Sequence, residues 1–322
     1  MFQKTDYRLL TVVLAMFFLP IVLNAQNKTE LLPFGDMNQW VDRQVKESGI
    51  IGGNTKNVYA IGPNSTIKGD QPYKNMGGSP WATSNVMAKV AGITKTNTSV
   101  FPEKRGDGYC ARLDTRMESV KVLGVVNITV LAAGSVFTGS VHEPIKSTKN
   151  PQKILQTGIP FTKKPVALQV DYKVKMSDRE NRIRATGFSK IEDVQGKDYP
   201  AAILLLQKRW EDAKGNVYAK RIGTMVTYFY HSTDWKNNAT FEVMYGDITG
   251  RPEYKAHMMR LQATENYTVN SKGESVPIRE VAWGDEDDLP THLYLQFTSS
   301  HGGAYIGSPG NTLWIDNVKM VY

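Results

Sequence analysis

The chain ends Ser299-Ser-His-Gly-Gly-Ala-Tyr-Ile-Gly-Ser-Pro-Gly-Asn-Thr-Leu-Trp-Ile-Asp-Asn-Val-Lys-Met-Val-Tyr322, and this stretch decides the fold. A Gly/Ser/Pro/Asn loop that turns the chain gives way at Leu313 to a run in which β-formers alternate with polar residues. The run reads as a closing strand with Asp316-Asn317 in its middle. Burying an acid among apolar neighbours costs several kcal/mol unless it is paired or bound to a cation. Asp316 therefore needs a partner.

Working back from the tail, the segments 108–115, 120–132, 166–176, 201–210, 217–230, 239–245 and 291–298 are each rich in β-branched or aromatic residues and bounded by turn formers. The Asp212-Ala-Lys-Gly-Asn216 step reads as a hairpin loop. Long amphipathic helical patterns, repeats and low-complexity tracts are absent. Strands without interleaved helices argue for an all-β, two-sheet sandwich and against a parallel α/β sheet. Residues 50–80, dense in Gly, Asn, Pro and Ser, are expected to form long loops with short strands, and 41–48 a helical turn or two.

The N-terminus has a basic start, an apolar run over residues 9–23 and Ala25 at its end, the parts of a secretory signal peptide. Residues 1–25 are expected to be removed on export, 26–32 to be a short linker, and 33–322 one sandwich domain. The exported protein then belongs in the periplasm, envelope or extracellular space, with no transmembrane segment after cleavage. Acylation is excluded, since the sole cysteine is Cys110. One cysteine also permits no internal disulfide, so packing must carry stability.

Residues 142–190 hold 11 Lys/Arg against 4 Asp/Glu, while Asp285-Glu-Asp-Asp288 is an acidic knot. Solvated faces explain such runs most simply; the sharper readings are a surface for acidic glycans and a cation site. Nucleic acid is discounted as a partner despite the basic pI, because no aromatic-basic interleaved motif is present.

Phosphate-binding glycine loops, nucleophile elbows and zinc-protease motifs are missing, and the five histidines have no metal-ligand spacing. A glycosidase needs two carboxylates about 5–10 Å apart. Glu192-Asp193, Asp234, Glu242 and the acidic knot are candidates in composition only. Saccharide binding draws on aromatic faces beside Asn, Asp, Arg and Gln. Trp81, Trp235, Trp283, Tyr73 and Tyr305 lie in or beside loops with such neighbours, and each could instead be buried under its own loop.

Phe34-Gly-Asp36 leading to Trp40, Trp81-Ala-Thr-Ser-Asn85, Gly108-Tyr-Cys-Ala-Arg-Leu113, Gly158-Ile-Pro-Phe161, Val170-Asp-Tyr-Lys-Val174, Asp234-Trp235 and the closing segment occur in this order. Together they resemble the putative carbohydrate metabolism domain (PCMD) family of exported Bacteroidetes proteins. The resemblance implies an antiparallel jelly-roll sandwich similar to carbohydrate-binding modules. It also implies a structural calcium held by Asp36 and Asp316, and it brings Arg112, within its motif, among the ligand contacts. The expected function is a non-catalytic glycan-binding or glycan-handling accessory protein. The alternatives are a polysaccharide hydrolase or lyase, and a structural or adhesive envelope protein.

Overall fold

The computed structural model describes residues 28–90, 92–122, 126–146, 150–187, 190–258 and 260–322. The expected signal segment 1–25 lies outside the described residues. No helix among the described residues is long and apolar enough to cross a membrane.

The chain is all-β: among the described residues the only helical turns are two short 3-10 segments, Gly49–Ile51 and Pro151–Ile154. Two large sheets face each other. The first runs Thr186–Gly187, Val126–Ala133, Gly108–Val122, Thr312–Val321, Ala167–Lys175, Thr233–Glu242; Val100–Arg105 adds to Gly108–Val122 and Thr29–Leu31 to Thr312–Val321. The second is centred on His292–Thr298, Ala201–Glu211 and Val217–Tyr228. Pairing in the two sheets is antiparallel except between Val217–Tyr228 and Ser275–Trp283.

The two sheets differ in what covers them, and the sequence carries the difference. In the second sheet Ala201, Ala202, Ile203, Leu204, Leu205 and Leu206 are all buried. Ala202, Leu204 and Leu206 join the inter-sheet core, and Ile203 and Leu205 pack with Phe137, Val226 and Tyr294 on the opposite side. A strand covered on both faces reads as a continuous apolar run. In the first sheet Leu168 and Val170 face the core while Gln169, Asp171 and Lys173 alternate with them. That alternation leaves one face of the first sheet to water.

The closing strand is central, with Gly108–Val122 on one side and Ala167–Lys175 on the other. Its alternation breaks once. Leu313 and Ile315 enter the core, and so do Val318 and Met320, because an extra residue sits between them. Asn317 takes that place with φ 51°, a left-handed conformation that Asn tolerates better than most side chains. The N-terminal turn docks on this bulge: Leu32 N–H donates to the Val318 carbonyl, and Val318 N–H to that of Gly35. Thr29–Leu31, inside the expected linker, is thus a strand paired with the tail.

The expected helical turns at 41–48 are instead the strand Trp40–Lys46, paired with Thr55–Ile61. Val41, Arg43 and Val45 are buried in turn while Asp42 and Gln44 are not, the period-two alternation of a strand. The 212–216 hairpin loop forms as expected, with Asp212 Oδ1 accepting from the N–H groups of Lys214 and Asn216.

Candidate functional site

The open face of the first sheet collects a polar and aromatic cluster from five strands. Phe101, Arg112, Trp314 and Lys173 are successive partners across four of them. The Arg112 guanidinium lies 4.7 Å from the Phe101 ring centre and the Lys173 ammonium 4.9 Å from that of Trp314. Cation and ring alternate across the row, each cation held by the adjacent π face. Glu103 ties the row down from below, accepting from Trp314 Nε1 at 2.8 Å and Arg112 Nη1 at 2.7 Å.

Next to this row sits Arg105, at the end of a tight hairpin whose turn includes Gly106 at φ 54°. Its Nη1 donates to Asp171 Oδ2 at 2.9 Å and to Asp316 Oδ2 at 2.6 Å, and its Nη2 to Asn237 at 2.6 Å. The Trp235 ring stacks on the guanidinium, 3.8 Å from centroid to carbon. Asp171 also accepts from the Asn238 N–H and from Asn317 Nδ2, so the bulge that turns Asn317 outward helps complete the site.

The electrostatics of the two acids diverge. Burial alone pushes the Asp171 carboxyl up, but the Asn238 N–H, Asn317 and Arg105 outweigh it and hold it below the usual aspartate range. Asp316 stays above that range because burial dominates, reinforced by the neighbouring Asp171 charge against the Arg105 and Asn317 hydrogen bonds. Burial works against the Arg105 cation too, and its hydrogen bonds to Asp316 and Asp171 raise it nonetheless. Cys110, beside Glu103, has its thiol pushed up to about 12, mainly by burial, and is inert.

The structure separates the expected ligand residues. Trp235 and Arg112 share the open face. Trp81 is 0 % exposed in the inter-sheet core with its Nε1 donating to the Pro33 carbonyl, so it is packing and not a platform. Tyr73 lies 4.9 Å from Arg43, which forms a buried ion pair with Glu143. Trp283 covers Arg221, itself paired with Glu280 inside the protein. Tyr305 is half-buried at φ 64° in the loop before the tail strand. A different residue of that loop, His301, enters a ring column with Tyr199 and Tyr228, and Tyr228 stacks in turn on His257.

Asp316 has found its partner, and it is a guanidinium. Asp36 accepts from Asn38 instead, and among the described residues no group of three or more His, Cys, Asp or Glu is placed to hold a metal ion. The acidic knot is similarly shared out: Asp288 pairs with Lys208 and Glu286 with Arg251. Of the basic stretch, Lys163 pairs with Glu30, Arg179 with Asp193 and Arg184 with Glu192, so its charges disperse over several surfaces.

Arg105, Asp171, Asn237, Asn317, Trp314 and Glu103 were not among the expected contacts. Their one sequence signal is the pair of acids in otherwise apolar strands, Val170-Asp171-Tyr172 and Ile315-Asp316-Asn317.

A family model described as "Putative carbohydrate metabolism domain" matches residues 55–321. The chain belongs to this family. The PCMD span includes every open-face residue named above, and leaves Asp36 and Trp40 outside it. No curated protein matches the PCMD chain. Among solved structures it resembles one titled a putative glycoside hydrolase from Bacteroides thetaiotaomicron, at 19 % identity and TM-score 0.45, over 84 % of this chain and 81 % of that one.

Proposed function

We propose that the protein binds glycans on the open face of its first sheet and does not cleave them there. The observation that carries the reading is Arg105, fixed between Asp171 and Asp316 and stacked on Trp235. A sugar hydroxyl both donates and accepts, so a face that interleaves guanidinium, carboxylate and amide groups with indole rings matches it on both counts. These groups are also pre-positioned by one another, which reduces the ordering cost of binding.

Hydrolysis at the same two acids meets a geometric obstacle. A pair of catalytic carboxylates must leave room between them for the anomeric carbon or a water. Here one nitrogen of Arg105 fills that room, within 3 Å of both oxygens. The cations of the face are also largely matched: Arg105 by two aspartates, and Arg112 by Glu103 and Asp114. This balance favours neutral glycans over acidic ones.

Retention on immobilised polysaccharides tests the reading, with soluble reducing ends measured in parallel. The wild type is expected to be retained on at least one neutral polymer and released by its soluble oligosaccharides, the Trp235→Ala variant to pass through, and no reducing ends to accumulate. Reducing ends lost on Asp171→Asn would contradict it.

A further inference from the structure

At the far end of the edge strand Thr233–Glu242 an open cleft of about 450 Å³ is lined by Val166, Ala167, Glu242, Val243, Tyr245, Arg251 and Glu286. It is separate from the open-face cluster, since Trp235 and Glu242 lie seven residues apart on one strand, roughly 20 Å at the usual rise. The walls are fixed. Val243 N–H donates to the Val166 carbonyl at 2.9 Å, and Tyr245 Oη to that of Pro165 at 2.7 Å. Arg251 Nη2 bridges the Tyr245 carbonyl and Glu286 Oε1 at 2.8 and 2.5 Å. The Lys164 ammonium lies 4.8 Å from the Tyr245 ring centre and donates to the Glu286 carbonyl.

Each cation here is therefore engaged by a neighbour, and so is Glu286. Glu242 is the exception: its exposed carboxylate makes no hydrogen bond or ion pair with any described residue. The exposed side chain of Val166, beside one free, acceptor-only carboxylate, suits a ligand with a flat C–H face and adjacent O–H donors. The cleft has room for one pyranose.

We propose that this cleft is a second subsite that takes a single neutral sugar unit, its C–H face laid against Val166, with two of its hydroxyls donating to Glu242. The assignment rests on the saccharide reading of the open face and adds to it a site for a chain end. A carboxylate accepting from hydroxyls forms hydrogen bonds about twice as strong as neutral ones, so Glu242→Gln should weaken the subsite about tenfold without removing it. Val166→Trp, at a position already 47 % exposed, would fill the cleft.

Backbone-amide NMR titration with methyl pyranosides of the gluco, galacto, manno and xylo series tests this, with neutral oligosaccharides of four to six units as the second probe. One methyl pyranoside is expected to shift the amides of Val243, Tyr245 and Arg251 while leaving the Trp235 indole in place. Glu242→Gln should raise the half-saturating concentration about tenfold and Val166→Trp abolish the response. Unmoved cleft amides with every pyranoside, or a Glu242→Gln response equal to wild type, overturn the assignment. If the oligosaccharides still move the Trp235 indole, the open-face reading survives alone; if nothing moves with either probe, both readings fall.

Discussion

Asp171 and Asp316 accept from the same nitrogen of Arg105, at 2.9 and 2.6 Å, although they lie 145 residues apart along the chain. Their side chains are 7 % and 10 % exposed, so each depends on that guanidinium. Arg105→Met should destabilise the fold by about 3 kcal/mol, the cost typical of leaving buried charge uncompensated. Chemical denaturation checks this; a loss below about 1 kcal/mol would place the cluster with ordinary surface pairs.

The opposite shifts of the two acids predict a specific pH dependence. Asp171, held below its ordinary value of 3.8, contributes stability that is present above that value and is lost as pH falls through its folded pKa. Asp316 is raised above 3.8, so its contribution is complete below that value and is lost as pH rises through its folded pKa. Asp316→Asn removes the second loss only. Unfolding free energy measured from acid to neutral pH should therefore show the variant gaining on wild type as pH rises above the ordinary aspartate range. Parallel curves over that window would contradict the assignment.

Trp81 and Trp235 are both loop-adjacent tryptophans in the sequence, and the structure assigns them opposite roles. Trp81→Ala empties a fully buried site and should cost about 3–5 kcal/mol. Trp235→Ala should cost less than about 1.5 kcal/mol, mainly the cation–π contact with Arg105, while abolishing retention on glycan. Thermal melts of the two variants separate these outcomes directly; a larger loss for Trp235→Ala would reverse the roles.

That pair also marks how far the sequence could be read. Strand identity was legible because Leu168, Val170, Leu313 and Ile315 alternate with polar residues, and because the 201–206 run is apolar throughout. The acid in the tail was legible as a residue needing a partner. Which partner was not, because Arg105 lies 211 residues from Asp316 and reaches it only once its hairpin has paired with the tail strand in the first sheet. Ring burial was equally hidden: Ser and Asn residues flank Trp81 and Trp235 alike, and only the packing of the N-terminal turn over Trp81 tells them apart. The strand at Trp40–Lys46 escaped because Val41 and Val45 fit a four-residue helical spacing as well as a two-residue alternation.

Asn317 offers a test of the bulge. Its φ of 51° suits Asn and Gly, and its amide bonds Asp171. Asn317→Gly should keep the backbone and lose about 1 kcal/mol with that hydrogen bond, whereas Asn317→Val adds strain of about 1–3 kcal/mol. Equal melting temperatures for the two variants would show that the left-handed conformation is not what fixes the strand.

The central claim is that the open face around Arg105 and Trp235 binds glycan. Isothermal titration of the full chain with a neutral oligosaccharide that elutes it from an immobilised polymer measures this most directly, repeated with Trp235→Ala and Trp314→Ala. The account predicts saturable binding by the wild type and a drop of at least tenfold in each folded variant. Unchanged affinity in both variants would move the binding site off this face.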